Sequence, residues 1–335
     1  MAKLIRWHEK SFIHFVTNRT EHEMFLLLPT QEVNNLILYW LTKAKEIKGL
    51  HIKLYAFVFL SNHFHMLLQD PKGELAEFMG YFQGNLAKAL NKLHHRKGKF
   101  WYREYDDLIV DGEDEFWNRY GYIAANPVKA GLVTKPDMWK GVSSVHHLCN
   151  NNAVVGTGVN VTKYGNATRH GKRANKKEFV ETFSFSLAIP PMLAEMPSES
   201  AQKYLTDFIA TSGQCARTKR GAYPPLGMNK VLSQKPLDRP HAPSRKPRFK
   251  IMSFCKERKK LLQEKYKRFV AAYRACCQSL TTYFKSAPCQ CGITEDDFKN
   301  KHNQYKRKAP VIIWPLGCHV PTHHKPVVAQ TQLSQ

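Results

Sequence analysis

Apolar residues in the first half of the chain change their period several times, and each change marks an element. Residues 11–19 (SFIHFVTNR) mix β-branched and aromatic residues in near alternation, which predicts a strand; the apolar run at 24–28 continues the sheet or forms a packed turn. From Thr30, a candidate N-cap, Val33, Leu36, Ile37, Trp40, Leu41, Ala44 and Ile47 recur at intervals of three and four and predict an amphipathic helix ending near Gly49. Residues 52–60 read as a buried strand and 63–69 as its return. The Ser61-Asn62 pair between them permits only a tight turn, so the two strands must be antiparallel. A second helix is expected over about 74–96, with Leu75, Phe78, Met79, Phe82, Leu86, Leu90 and Leu93 on one face. Residues 98–110 predict a further strand, and the acidic stretch from 111 opens a helix that stops at Pro127. The order βαββαβα implies an α+β fold, an open antiparallel sheet with helices on one face, close to a ferredoxin-like arrangement.

The pattern then fades. Residues 149–178 are rich in Asn, Gly and Lys without sustained periodicity and read as a basic linker. A small helical unit is expected around 179–212, an extended Pro-rich tract over 235–250, and one long basic helix over 254–284. The apolar stripe of that helix is Leu261, Leu262, Tyr266, Phe269, Val270 and Tyr273. The chain thus divides into 1–148, a linker of 149–178, and a basic C-terminal extension of 179–335.

Charge sharpens this division. The 335 residues carry a net charge of +24, a surplus that points to a polyanionic partner, nucleic acid before an anionic membrane. Residues 1–150 contribute +3 and the remainder +21, so the excess belongs to the extension. With no long apolar run and no signal-peptide pattern, the protein is expected to be cytoplasmic, and its eight cysteines to be buried or free thiols rather than a disulfide framework. Cys289, Cys291, Cys318 and His319 give a structural zinc reading, but their spacing fits no common ligand pattern.

Two short stretches carry candidate chemistry. In a strand, His63 and His65 point to the same face and can chelate one divalent ion; ordinary aromatic packing is the competing reading. On a helix, Tyr122 and Asn126 share a face one turn apart, although a core aromatic and a helix-end residue before a proline would look the same. Gly121, inside that helix, costs about 1 kcal/mol relative to alanine.

Taken in order, FVFLSNHFHMLLQ, an amphipathic helix, GKFWYREYDDLIV, YIAANPVKAGLV and WKGVSSV resemble the REP-associated tyrosine transposases, a branch of the HUH single-strand DNA nucleases. The resemblance runs over about residues 11–148, with Ser61 where a proline is usual and Ala124 where a larger residue is common. It implies that residues 1–148 form an HUH catalytic domain in which Tyr122 is the nucleophile, His63 and His65 are metal ligands, and Asn126 stands where related enzymes place an amide ligand. The ion would be Mg²⁺ or Mn²⁺, which suits two imidazoles, an amide oxygen and waters. The partner would be single-stranded DNA with REP-like hairpins, in the nucleoid, with a monomer or homodimer acting.

The chemistry is coherent on its own terms. A metal polarises an anionic phosphodiester, and tyrosine, a weak nucleophile with a reference pKa of about 10, would store the bond energy as a 5′-phosphotyrosine so that strands can be rejoined. Tyr102, Tyr105 and Tyr120 compete for the nucleophile's role. Arg103, Lys129 and the 94–99 tract are candidate DNA contacts near the site; Arg245, Lys246, Arg248, Lys250, Lys259, Lys260, Lys267 and Arg268 are candidate phosphate contacts in the extension. The interleaved aromatics Phe249, Tyr266, Phe269 and Tyr273 serve as a core stripe or as base-stacking platforms. The alternative function is a catalytically inactive regulator, derived from a transposase, that binds hairpin DNA or RNA.

Overall fold

A computed structural model describes residues 6–169, 173–240 and 251–286 of the chain. Strand β1 (Ile13–Arg19) leads into helix α1 (Gln31–Lys48), whose first turn is capped by Thr30 accepting from the Val33 amide at 3.3 Å. Strands β2 (Lys53–Phe59) and β3 (His63–Gln69) form the expected tight hairpin, closed by a bond from the Leu60 amide to the His63 carbonyl. Helix α2 (Leu75–Leu93), strand β4 (Asp106–Asp111), helix α3 (Glu113–Ala124) and the single turn α4 (Asn126–Lys129) complete the first half. The order of elements through α3 is the one read from periodicity. Beyond them come α5 (Ser144–Cys149), β5 (Val154–Val159), α6 (Val161–Ala167), β6 (Val180–Phe185), α7 (Ser198–Arg220), α8 (Met228–Leu232), β7 (Ile251–Ser253) and α9 (Lys256–Ser286).

The main sheet has the order β2-β3-β1-β4-β7, antiparallel except for the parallel pair β4–β7. Its face bearing Val16, Phe57, Phe64 and Met66 is buried under α1 and α2. Its other face, with Phe15, Val58, Leu67 and Val110, is buried under Phe116, Tyr120 and Ile123 of α3. Helices on one face only, as the sequence suggested, would leave that second apolar face wet. β2 shows why this does not happen: its last six residues are all buried, as in a strand covered on both sides.

Three further expectations are corrected. Of the predicted strand at 98–110 only Asp106–Asp111 pairs; ahead of it Trp101 makes an isolated bridge to Thr20 and plugs its indole N–H onto the Gln83 carbonyl at 3.0 Å. The segment read as a linker contains β5 and α6. β5 pairs with β6 as a hairpin clamped onto α1, where Glu181 accepts from Lys43, from the Tyr39 hydroxyl (2.6 Å) and from Asn160 (3.0 Å). Third, 179–212 is not a separate helical unit. After β6, the stripe Ala201, Leu205, Ile209 and Gly213 of α7 is buried with α3 in one apolar cluster.

Gly121 and Gly213 permit that close docking. A Cβ on Gly121 would lie 2.8 Å from Ser212 Oγ, and one on Gly213 2.6 Å from the Pro136 ring. The WKGVSSV stretch protects the free edge of β2: the Trp139 indole donates to the Phe59 carbonyl (3.0 Å), Ser143 bridges to Val58, and the Ser144 hydroxyl accepts from the Phe57 amide (3.0 Å). The five described cysteines are free and exposed. Among the described residues no helix is long and apolar enough to cross a membrane.

Candidate active site

The site forms where the sheet face opposite α1 and α2 meets α3 and α4. Alternation along β3 sends Phe64 and Met66 into the core beneath α1 and α2 and turns His63 and His65 to the other side, their ring centroids 5.0 Å apart. The turn ahead of them is pinned to the end of β1: the Asn62 carbonyl accepts from the Thr20 amide (2.8 Å) and the Asn62 amide group donates to the Glu23 carbonyl (3.1 Å). Asn62 Oδ1 also accepts from His63 Nδ1–H at 2.6 Å, which places the ring's lone pair on Nε2.

Tyr122 comes from the opposite wall. Its ring stands edge-on to His65 with centroids 5.2 Å apart, and Phe15 fills the corner at 5.1 Å from His65 and 6.0 Å from Tyr122. Of the four tyrosines weighed, this is the one placed against a histidine. Tyr120 is fully buried between Phe116 and Phe208, and burial pushes its phenol pKa far up. Tyr105 is buried beneath the Arg6 guanidinium, 3.9 Å from its ring centroid; burial raises its pKa despite that positive charge. Tyr102 is exposed beside Lys99 and Arg103.

Electrostatically the site is positive. Burial holds the His65 imidazole well below its ordinary pKa range, and the charges of His63, Arg119, Arg19 and Lys129 reinforce the effect. Lys129 Nζ lies 4.5 Å from the Tyr122 ring centroid, and the Arg119 guanidinium lies 5.9 Å from Tyr122 and 5.5 Å from Phe15. Arg119 Nε is held at 2.6 Å by Glu115, a buried carboxylate one turn earlier on α3, and Arg19, opposite His63 in the β1–β3 register, is held at 2.5 Å by Glu23. The sequence reading missed both arginines. Arg119 was visible in principle, since it precedes Tyr122 by three helical positions and so shares its face. Arg19 becomes a neighbour only through strand register.

Both ring nitrogens of His65 are buried without a hydrogen-bond partner, and buried polar atoms in that state call for a ligand. A neutral imidazole is the form that binds a metal, so His63 and His65 fit a divalent ion. Among the described residues no group of three His, Cys, Asp or Glu side chains could hold an ion. Asn126 is buried at the first position of α4, one turn beyond Tyr122. Arg103 is engaged elsewhere on the wall, bonded to Asp106 at 2.5 Å, and Asp106 faces Thr17 across the sheet. Lys260, Lys267 and Arg268 are exposed on α9, and Lys259 is half-buried there. Arg245, Lys246, Arg248, Phe249 and Lys250, most of the expected 235–250 tract, and the cysteine–histidine set of 289–319 lie outside the described residues.

No protein-family model and no curated protein matches the chain. Among solved structures it is similar to a REP-associated tyrosine transposase bound to a REP hairpin, at 22% identity over 44% of this chain and 84% of that one, with a TM-score of 0.36. It is also similar to a putative transposase from Deinococcus radiodurans R1, at 20% identity over 36% of this chain and 93% of that one, with a TM-score of 0.26.

Proposed function

We propose that the protein is a metal-dependent tyrosine transposase that cleaves and rejoins single-stranded DNA beside hairpins of REP type. The observation that carries this reading is the convergence of three side chains from two separate motifs: His63 and His65 with rings 5.0 Å apart, and Tyr122 5.2 Å from a His65 whose nitrogens are buried and unpartnered. In this reading His63, His65 and Asn126 hold a Mg²⁺ or Mn²⁺ ion, which when bound supplies Lewis-acid polarisation of the scissile phosphate. Arg19, Arg119 and Lys129 add positive charge around the same point, where negative charge grows as the phosphate is attacked. Tyr122 Oη forms the new bond to phosphorus while the bond to O3′ breaks; the O3′ takes up a proton and departs as a 3′-hydroxyl. The strand stays attached as a 5′-phosphotyrosine, and the reverse attack by a 3′-hydroxyl rejoins DNA without an external energy source.

Incubation of the protein with hairpin-bearing single-stranded DNA and Mn²⁺ is expected to give a covalent adduct that survives SDS, and Tyr122→Phe is expected to give none. An adduct formed by Tyr122→Phe would remove the assignment. Tight hairpin binding with no adduct, indifferent to chelator and to His63→Ala, would mark an inactive binding protein instead.

A further inference from the structure

Helix α9 begins beside the last residue of β4 and runs back along it. Arg258 grips Asp111 with two hydrogen bonds of 3.1 and 2.7 Å. Two to three turns later Tyr266 and Phe269 lie against Trp7, each with centroids 6.4 Å away, and the preceding Arg6 donates to the Tyr105 carbonyl at 3.3 Å. By Phe269 the helix has therefore travelled the length of β4, from Asp111 to the level of Tyr105. It packs over Ile109, which points away from the α3 side of the sheet. The remaining residues to Ser286 carry its axis about 25 Å further at 1.5 Å per residue. That overhang leaves at the end of the sheet where β1 finishes at Arg19 and β3 starts at His63.

The charge on this helix is organised. Residues 256–278 contain eight basic and two acidic side chains. Arg258 is spent on Asp111, whereas Lys260, Lys267 and Arg274 are exposed and recur at seven-residue intervals, which puts them on one line along the axis about 10.5 Å apart. The apolar residues Leu262, Tyr266 and Phe269 occupy a different line, the one docked on Trp7 and Ile251. The helix is thus bolted to the sheet by one stripe and by its first turn, and presents a straight row of cations beside it.

We propose that α9 is a phosphate-tracking arm: its Lys260–Lys267–Arg274 row grips the backbone of the hairpin stem that flanks the cleavage site. The proposal rests on the nucleic-acid reading above and assigns the stem to a surface separate from the catalytic residues. The row makes no base-specific contact, so its contribution is independent of sequence and sensitive to salt.

The test is anisotropy titration of hairpin-bearing DNA over a range of salt concentrations. Replacing Lys260, Lys267 and Arg274 together by Gln is expected to lower the slope of log K against log salt by roughly 2 to 3, the value for three lost phosphate contacts. Removing the same charge as Lys163→Gln, Lys176→Gln and Lys177→Gln, exposed residues around the β5–β6 hairpin, is expected to leave the slope unchanged. A charge-preserving set, Lys260→Arg, Lys267→Arg and Arg274→Lys, is expected to keep the wild-type slope, with circular dichroism reporting that α9 stays helical in each variant. Equal slope losses in the first two sets, or none in the first, would overturn the arm. If the slopes behave as expected but no Tyr122 adduct forms, the catalytic reading fails and the arm stands; if the wild type does not bind hairpin DNA, both fall.

Discussion

Arg119 shows how one side chain ties the candidate nucleophile to its surroundings. Its guanidinium lies near the Phe15 and Tyr122 rings, its Nε is fixed by the buried Glu115, and its charge helps keep His65 neutral. Arg119→Gln is therefore expected to slow adduct formation about 10²–10³-fold in single-turnover experiments, with Arg119→Lys recovering part of the rate, since a preorganised donor at developing charge is worth that much. His8 offers a separate check on the folded state. Burial alone would lower its pKa, but hydrogen bonds and charge from Asp70 outweigh that and raise it. A histidine whose folded pKa lies above its unfolded value of about 6.5 contributes stability that is full below that value and lost as pH rises through the folded pKa. His8→Gln is accordingly expected to lower the melting temperature more at pH 5.5 than at pH 8.5. Of the candidate site residues, the sequence already marked His63, His65, Tyr122, Asn126 and Lys129. It was silent on Arg19 because nothing local says which β1 residue will face β3.

Among the elements, α2 and α7 show the two ways a helix is placed here. Helix α2 has no side-chain cap at Glu74; Asp70 takes over, accepting from the amides of Gly73, Glu74 and Leu75 at 2.8–2.9 Å, so the end of β3 and the start of α2 are fixed as one unit. Helix α7 is placed by shape, through the absence of side chains at Gly121 and Gly213. Gly213→Val is expected to cost about 1–3 kcal/mol in denaturant unfolding, because the Pro136 ring 2.6 Å from the new Cβ cannot yield as a flexible side chain would. The helices and hairpin of the first half were legible because their period is set by burial on one face of a local element. β5 was not: one of its two buried positions is Gly156, where a Cβ would meet the Leu38 carbonyl, and a Cβ on Gly158 would lie 2.6 Å from the Tyr39 ring, so fit against α1 replaces hydrophobic alternation.

The whole molecule draws its second half into the first. The residues that cover α3 come from α7, and the edge of β4 is completed by β7 from beyond residue 250. A chain cut at residue 148 would expose Trp117 and Tyr120 where Phe208 now packs, and is expected to aggregate, whereas one ending at 240 keeps α7; size-exclusion chromatography of the two separates these outcomes. The boundary at 148 and the linker after it follow from composition, and composition does not report what packs on what. The sequence by itself determined the βαββαβα order, the tight Ser61-Asn62 turn, the common face of His63 and His65 and the positive charge of the second half, because each depends on spacing or summation along the chain. Only the tertiary structure decided that the sheet is covered on both faces, that Arg19 and Arg119 surround the histidines, and that α9 runs back along β4, on the opposite face, toward the end of the sheet at which they lie. Those outcomes depend on strand register and on contacts between residues far apart along the chain, which no local pattern encodes.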